Sequence, residues 1–319
     1  MFNSIWEDVK REFNYGNMVT RIIIMNVGAF VILNLVWIIA MIGNERNLPE
    51  WFNTFQQFFM VSSDWFHDLT HPWVLISYMF LHFGFWHILW NMLFLYWFGR
   101  IVGDFIGNQR ILPLYLLGGL SGALLYFISA NLNFLPPNSG SYMLGASASV
   151  MAIVVAAGAI SPDYVIRLLF LGDVKLKYLV AVLLFLDLLG VAGMNNTGGH
   201  FAHLGGAIFG YIFVRQLREG NDLAVPINNF IDMMSNWFVS LFKAKARKKK
   251  GPRVVYKNTE KANRPKTKRT RGASSRGNNK SDNRSHQERL DEILDKIKQS
   301  GYDSLTDSEK EFLFNASKK

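Results

Sequence analysis

Four polar side chains of this 319-residue chain, Ser147, His203, His87 and Asn91, have the types and spacing that acyl-transfer chemistry needs. Ser147 follows Gly145 and Ala146, which leave the backbone uncrowded, and it stands at or near the start of an apolar helical stretch. Unpaired backbone N–H groups and the positive dipole end at such a position favour a developing anion, which suits a nucleophile attacking a carbonyl. A serine alone in an apolar helix would mean little, because it commonly bonds back to its own helix or to a neighbour. His203 supplies the base. It lies three residues before Gly206 and seven before Gly210, so it shares a helix face with a GxxxG pair. That pair admits close backbone approach, and the small-residue stretch containing Ala148, Ala152 and Ala156 is its natural partner. Ser147 and His203 are therefore expected to meet.

His87 and Asn91 are four residues apart, about 40° round a helix, and can reach the same point. His82 comes five residues before His87, about 140° round, so it is expected to point elsewhere or to precede the helix. A histidine alone in an apolar segment is usually a structural hydrogen-bonder, and it is the conjunction of these groups that argues for chemistry. His200 reads as a residue at a wet helix end. Asp187 is a charged residue in an apolar run, and the spacing assigns it no role.

The elements that must position these groups are membrane spans. Half of the chain is hydrophobic, and its apolar residues come in blocks too long for a soluble core. A helix crosses about 30 Å of hydrocarbon with roughly 20 apolar residues, its backbone polar groups all satisfied internally. Six stretches qualify, at about 20–42, 80–104, 111–131, 146–161, 176–194 and 199–216. The fold class expected is all-α, a polytopic six-helix bundle. The fourth stretch is short and rich in small residues, as a buried helix would be. Residues 1–19 carry mixed charges and read as a cytoplasmic N-terminal segment rather than a cleavable signal.

Cations set the orientation. The stretches 132–144 and 191–199 carry no charge, whereas 100–110 holds Arg100 and Arg110, and 163–177 holds Arg167, Lys175 and Lys177. The basic loops are expected in the cytoplasm with both termini, and the loop 42–72 faces outward. The chain has no cysteine, which excludes disulfides.

Beyond the bundle domain, 20–217, the stretch 218–285 reads as a linker with a disordered basic tail. Seventeen of the 34 Lys and Arg lie in 241–285, so the net charge of +10 belongs to the tail. Such a segment cannot fold alone and is expected to touch anionic lipid. Nucleic acid is not expected, since no stacking aromatics are interleaved. Residues 286–319 read as a helical hairpin. Leu290, Ile293, Leu294 and Ile297 share one face, Gly301 is placed to end that helix, and Thr306 with Glu309 forms a capping box for a second helix carrying Phe312 and Leu313.

His82-(x4)-His87-(x3)-Asn91, Gly145-Ala146-Ser147-Ala148 and Ala202-His203-(x2)-Gly206-(x3)-Gly210, in that order on the second, fourth and sixth spans, resemble the signature of the rhomboid intramembrane serine proteases. The resemblance covers about residues 15–216. It implies that Ser147 and His203 form a catalytic dyad needing no Asp partner. It also implies an oxyanion hole made by the side chains of His87 and Asn91 and the Ser147 backbone N–H, with His82, Gly145, Gly206 and Gly210 in support and no metal or cofactor. Its substrates are single-span membrane proteins, cut at or near their own helix in the inner cell membrane. Three positions depart from the commonest pattern of that family: Met151 stands where an aromatic often packs under the base, Trp73-Val74 replaces a frequent Trp-Arg pair, and Gly103 precedes Asp104 where an acidic residue is usual. The hairpin resembles an appendage of rhomboids from Bacteroidetes-type bacteria. Two rivals remain: a non-catalytic rhomboid-like protein that binds transmembrane helices, and a metal-dependent protein or transporter with His82, His87, His200 and His203 as ligands.

Overall fold

The computed structural model describes residues 2–44, 47–136, 141–168, 172–193, 196–242, 286–300 and 304–316. The chain divides into two units, Met1–Arg247 and Lys248–Lys319.

In the first unit α1 (Phe2–Tyr15) leads to α2 (Met18–Gly43). Asn17 caps α2, its side-chain oxygen accepting from the Thr20 N–H at 2.9 Å. The first long loop is not bare coil. It holds α3 (Glu50–Gln57), β1 (Val61–Ser62), α4 (Trp65–Thr70) and α5 (Val74–Ser77). A 3₁₀ turn at Tyr78–Phe80 follows, and Gly84, at φ 83°, starts α6 (Phe85–Ile106). That left-handed glycine explains why this helix begins at 85 and not at 80, leaving His82 ahead of it.

α7 (Ile111–Asn131) is followed by β2 (Tyr142–Met143), which pairs antiparallel with β1. α8 (Ser147–Ile160), the ribbon β3 (Val165–Leu168) with β4 (Gly172–Lys175), α9 (Leu176–Ala192), α10 (Thr197–Arg218) and α11 (Ala224–Phe242) complete the unit. Two short ribbons therefore join an otherwise helical fold, and α11 lies inside the stretch read as linker. By length and composition two helices among the described residues, Met18–Gly43 and Asn108–Asn131, are apolar enough to cross a membrane. Six spans is the count from sequence; α8 and α9, at 14 and 17 residues, are short for that criterion.

Small residues hold the centre together. α10 packs chiefly against α7 and α8, and α7 against α8. Gly206 and Gly210 of α10 lie on the backbone carbonyls of Ala148 and Ala152, where any Cβ would collide. Gly118 and Gly122 of α7 lie on the Cβ atoms of the same two alanines. Contacts this close are rich in dispersion attraction. At one end of the bundle Arg110 pairs with Asp222 at 2.7 Å. Burial there opposes a charge on Asp222, yet the bonds from Arg110 and the Ala224 N–H keep its carboxyl below the usual range.

The second unit contains α12 (His286–Ser300) and α13 (Asp307–Ala316). Ile293 and Leu305 are buried, Leu290 and Ile297 half-buried, and Leu294 exposed. Glu309 reaches back to the Thr306 N–H at 2.7 Å and takes Lys296 at 2.8 Å. The Arg289 guanidinium lies 4.8 Å from the Phe312 ring centroid. The basic tail and Gly301 lie outside the described residues.

Candidate active site

Ser147 is the first residue of α8, so its own N–H is one of those the helix leaves unpaired. Gly145, just before it, takes φ 126°, where an L side chain is strained. A Cβ there would stand 2.9 Å from His87 Nε2 and 3.7 Å from Ser147 Oγ, so the imidazole of α6 and the hydroxyl of α8 flank that glycine. Only glycine leaves both room. The turn is tied down on the far side. The Gly145 N–H donates to the Tyr78 carbonyl at 2.9 Å, and the Ala146 N–H to His82 Nε2 at 3.4 Å. His82 is wholly buried. Its contact is with the backbone one residue ahead of Ser147, and its place is outside the cavity lining.

Ser147, His203, His87, Asn91 and Gly145 line a single cavity of about 1010 Å³. Trp86, Trp90, Phe94, Tyr126 and Met151 add apolar and aromatic wall. Four candidates from three helices therefore face one space that is large enough for an extended peptide segment. Asn91 is buried and spends one amide hydrogen on the His87 carbonyl at 2.8 Å. No hydrogen bond joins Ser147 to His203 in this structure, as is common before substrate arrives. Gly206 and Gly210 do not line the cavity; they set the spacing of α10 against α8.

The resemblance asks for no carboxylate beside His203, and the structure adds one. His203 Nδ1 hydrogen-bonds Asp187 Oδ1 at 2.7 Å. His200 Nδ1 bonds the same oxygen at 2.7 Å, so His200 is not simply a residue at a wet helix end. A carboxylate oxygen has two lone pairs and accepts both. Asp187 is 6% exposed, and these bonds account for a charge at such depth. Gly190, one turn on from Asp187, lies where any Cβ would strike the His200 ring, so α9 is shaped to seat that imidazole. The sequence carried a signal for this: Asp187 and Gly190, three apart on one helix, match His200 and His203, three apart on the next.

The donor atoms of Asp187, His200 and His203 all lie within 4.8 Å of one another, the spacing of a metal-binding group among the described residues. That set shares only two members with the four imidazoles weighed from sequence. His82 and His87 instead pack edge to face at 4.9 Å.

Comparison with known proteins divides the chain as the structure does. Residues 69–219 match the rhomboid domain, and residues 279–319 match a family of unknown function, DUF6576. The chain is 28% identical over 225 residues to "RHOMBOID-like protein 12, mitochondrial" of Arabidopsis thaliana, a match covering 67% of this chain and 62% of that protein. It is 32% identical over 150 residues to "Presenilin-associated rhomboid-like protein A, mitochondrial" of Danio rerio, covering 45% of this chain and 36% of that one. The matched region thus spans less than two thirds of either relative.

Proposed function

From the premise that this chain belongs to the rhomboid family through residues 69–219, we propose that it is an intramembrane serine endopeptidase with Ser147 as nucleophile and His203 as general base. The observation that carries this reading is the convergence of Ser147, His203, His87 and Asn91 on one cavity at the start of α8. The proton of Ser147 Oγ passes to His203 Nε2 as Oγ bonds to the scissile carbonyl carbon. The carbonyl oxygen becomes an oxyanion, and the Ser147 N–H, His87 and Asn91 stabilise it. His203 then returns its proton to the leaving amine as the C–N bond breaks. Water attacks the acyl group by the same steps in reverse, and neither metal nor cofactor is called on.

In a six-span bundle the length of α8 fits this chemistry. At 14 residues it rises about 21 Å, short of the roughly 30 Å hydrocarbon core, so with its last residue, Ile160, at one membrane face it holds Ser147 below the other. The cavity then supplies water from that side. Cations at 100–110 and 163–177 support a topology with both termini in the cytoplasm, in the inner membrane of a cell. The substrate class that fits is a single-span membrane protein whose helix unwinds locally to present a carbonyl. The basic tail is suited to anionic lipid.

The test is cleavage of a model single-span substrate by detergent-purified protein, with fluorophosphonate labelling beside it. Labelling and cleavage that both vanish in Ser147→Ala are expected. A folded protein that neither labels nor cuts would favour a non-catalytic binder of transmembrane helices.

A further inference from the structure

We propose that Asp187 is a positioning residue for His203, so that this chain works with a Ser147–His203–Asp187 triad in which His200 shares the carboxylate. The inference rests on the protease reading above.

Geometry supplies the first argument. To donate to Asp187 Oδ1 at 2.7 Å, His203 must carry its neutral proton on Nδ1, which leaves the Nε2 lone pair for Ser147. The base nitrogen is therefore chosen by a hydrogen bond and not left to tautomer exchange. When Ser147 Oγ gives its proton to Nε2 and bonds to the carbonyl carbon, His203 becomes an imidazolium. Its Nδ1–H still donates to the Asp187 carboxylate, and that anion opposes the new charge where solvent is scarce.

Burial supplies the second. Asp187 is 6% exposed in a helix that is otherwise apolar from Leu179 onward, a place where a carboxylate is costly unless it has partners and a task. Among the described residues it hydrogen-bonds two imidazoles, one of which lines the cavity.

The third is the lack of another device to aim the ring. Among the described residues the aromatic contact of His203 is with His200, edge to face at 5.7 Å, and Met151 on the facing helix offers no polar atom to Nδ1. Gly190 leaves room for the His200 ring, and His200 bonds the same Asp187 oxygen that His203 uses, which helps to orient it. Other titratable groups facing the cavity are His87 from α6, Tyr126 from α7, Tyr78 from the 3₁₀ turn and Tyr142 from β2.

Asp187→Asn, in the full chain in detergent, keeps the size of the side chain and removes its charge. The proposal expects kcat for substrate cleavage to fall at least tenfold with KM nearly unchanged. A purely structural role would not split kcat from KM in this way. If Asp187→Asn does not fold, the parent protein still tests the proposal: its proton NMR spectrum should show a far-downfield imidazole N–H that disappears in His203→Gln. An unchanged kcat in a folded Asp187→Asn, or no such resonance in the parent, overturns the triad while the dyad stands. Activity lost to EDTA and restored by zinc overturns it too, by making Asp187, His200 and His203 metal ligands. A parent protein that fails to label overturns the protease reading itself, a result distinct from the others.

Discussion

Gly206 of α10 lies directly on the carbonyl oxygen of Ala148, the residue after the proposed nucleophile, with no room for a side chain between them. The distance between base and nucleophile is thus set by a backbone contact three residues from His203. Gly206→Ala inserts a methyl into that contact and is expected to cost about 1–3 kcal/mol of stability, as overpacking does. It should also lower the labelling rate of Ser147, since α10 must move away from α8. Thermal unfolding in detergent and probe labelling check the two effects. A variant as stable and as reactive as the parent would show that the helices do not pack as described.

Asn91→Ala removes one oxyanion donor and leaves Ser147 and His203 in place. Loss of such a donor costs about 100- to 1000-fold in kcat. Steady-state cleavage kinetics are the measurement, and a loss of less than about tenfold would exclude Asn91 from the oxyanion hole.

In the second unit, pH reads a different contact. Glu309 is pulled from its ordinary value of 4.5 down to about 2, first by the hydrogen bond from Lys296 and then by the Thr306 N–H. A carboxyl whose folded pKa is depressed adds stability above its unfolded pKa and loses it as pH falls toward the folded value. Hydrogen-exchange protection of α13, corrected for intrinsic rate, should therefore decline from about pH 4.5 toward pH 2. Glu309→Gln should start lower and show no such decline. Protection that is flat in the parent over that window would refute the role given to this pair.

Much of the first unit was legible because two physical signals are local. Apolar runs place the helices α2, α6, α7, α8, α9 and α10 within about five residues of their expected bounds. Small residues at helical spacing mark the faces that meet, as Gly206 and Gly210 do with Ala148 and Ala152. The ribbons escaped because β1 and β2 hold two residues each, too few for a periodicity to register, and their pairing joins segments about 80 residues apart. Asp187 escaped for another reason. Its meaning depends on which helix neighbours α9, and a single charge in an apolar run does not say what faces it.

The account stands or falls on whether Ser147 is a nucleophile. The direct measurement is covalent labelling of the detergent-purified protein by a fluorophosphonate, with the modified residue located by mass spectrometry. The account predicts a single adduct on Ser147 that is absent in Ser147→Ala and much slower to form in His203→Ala. A correctly folded protein that forms no adduct, or forms one elsewhere with Ser147 untouched, would contradict it.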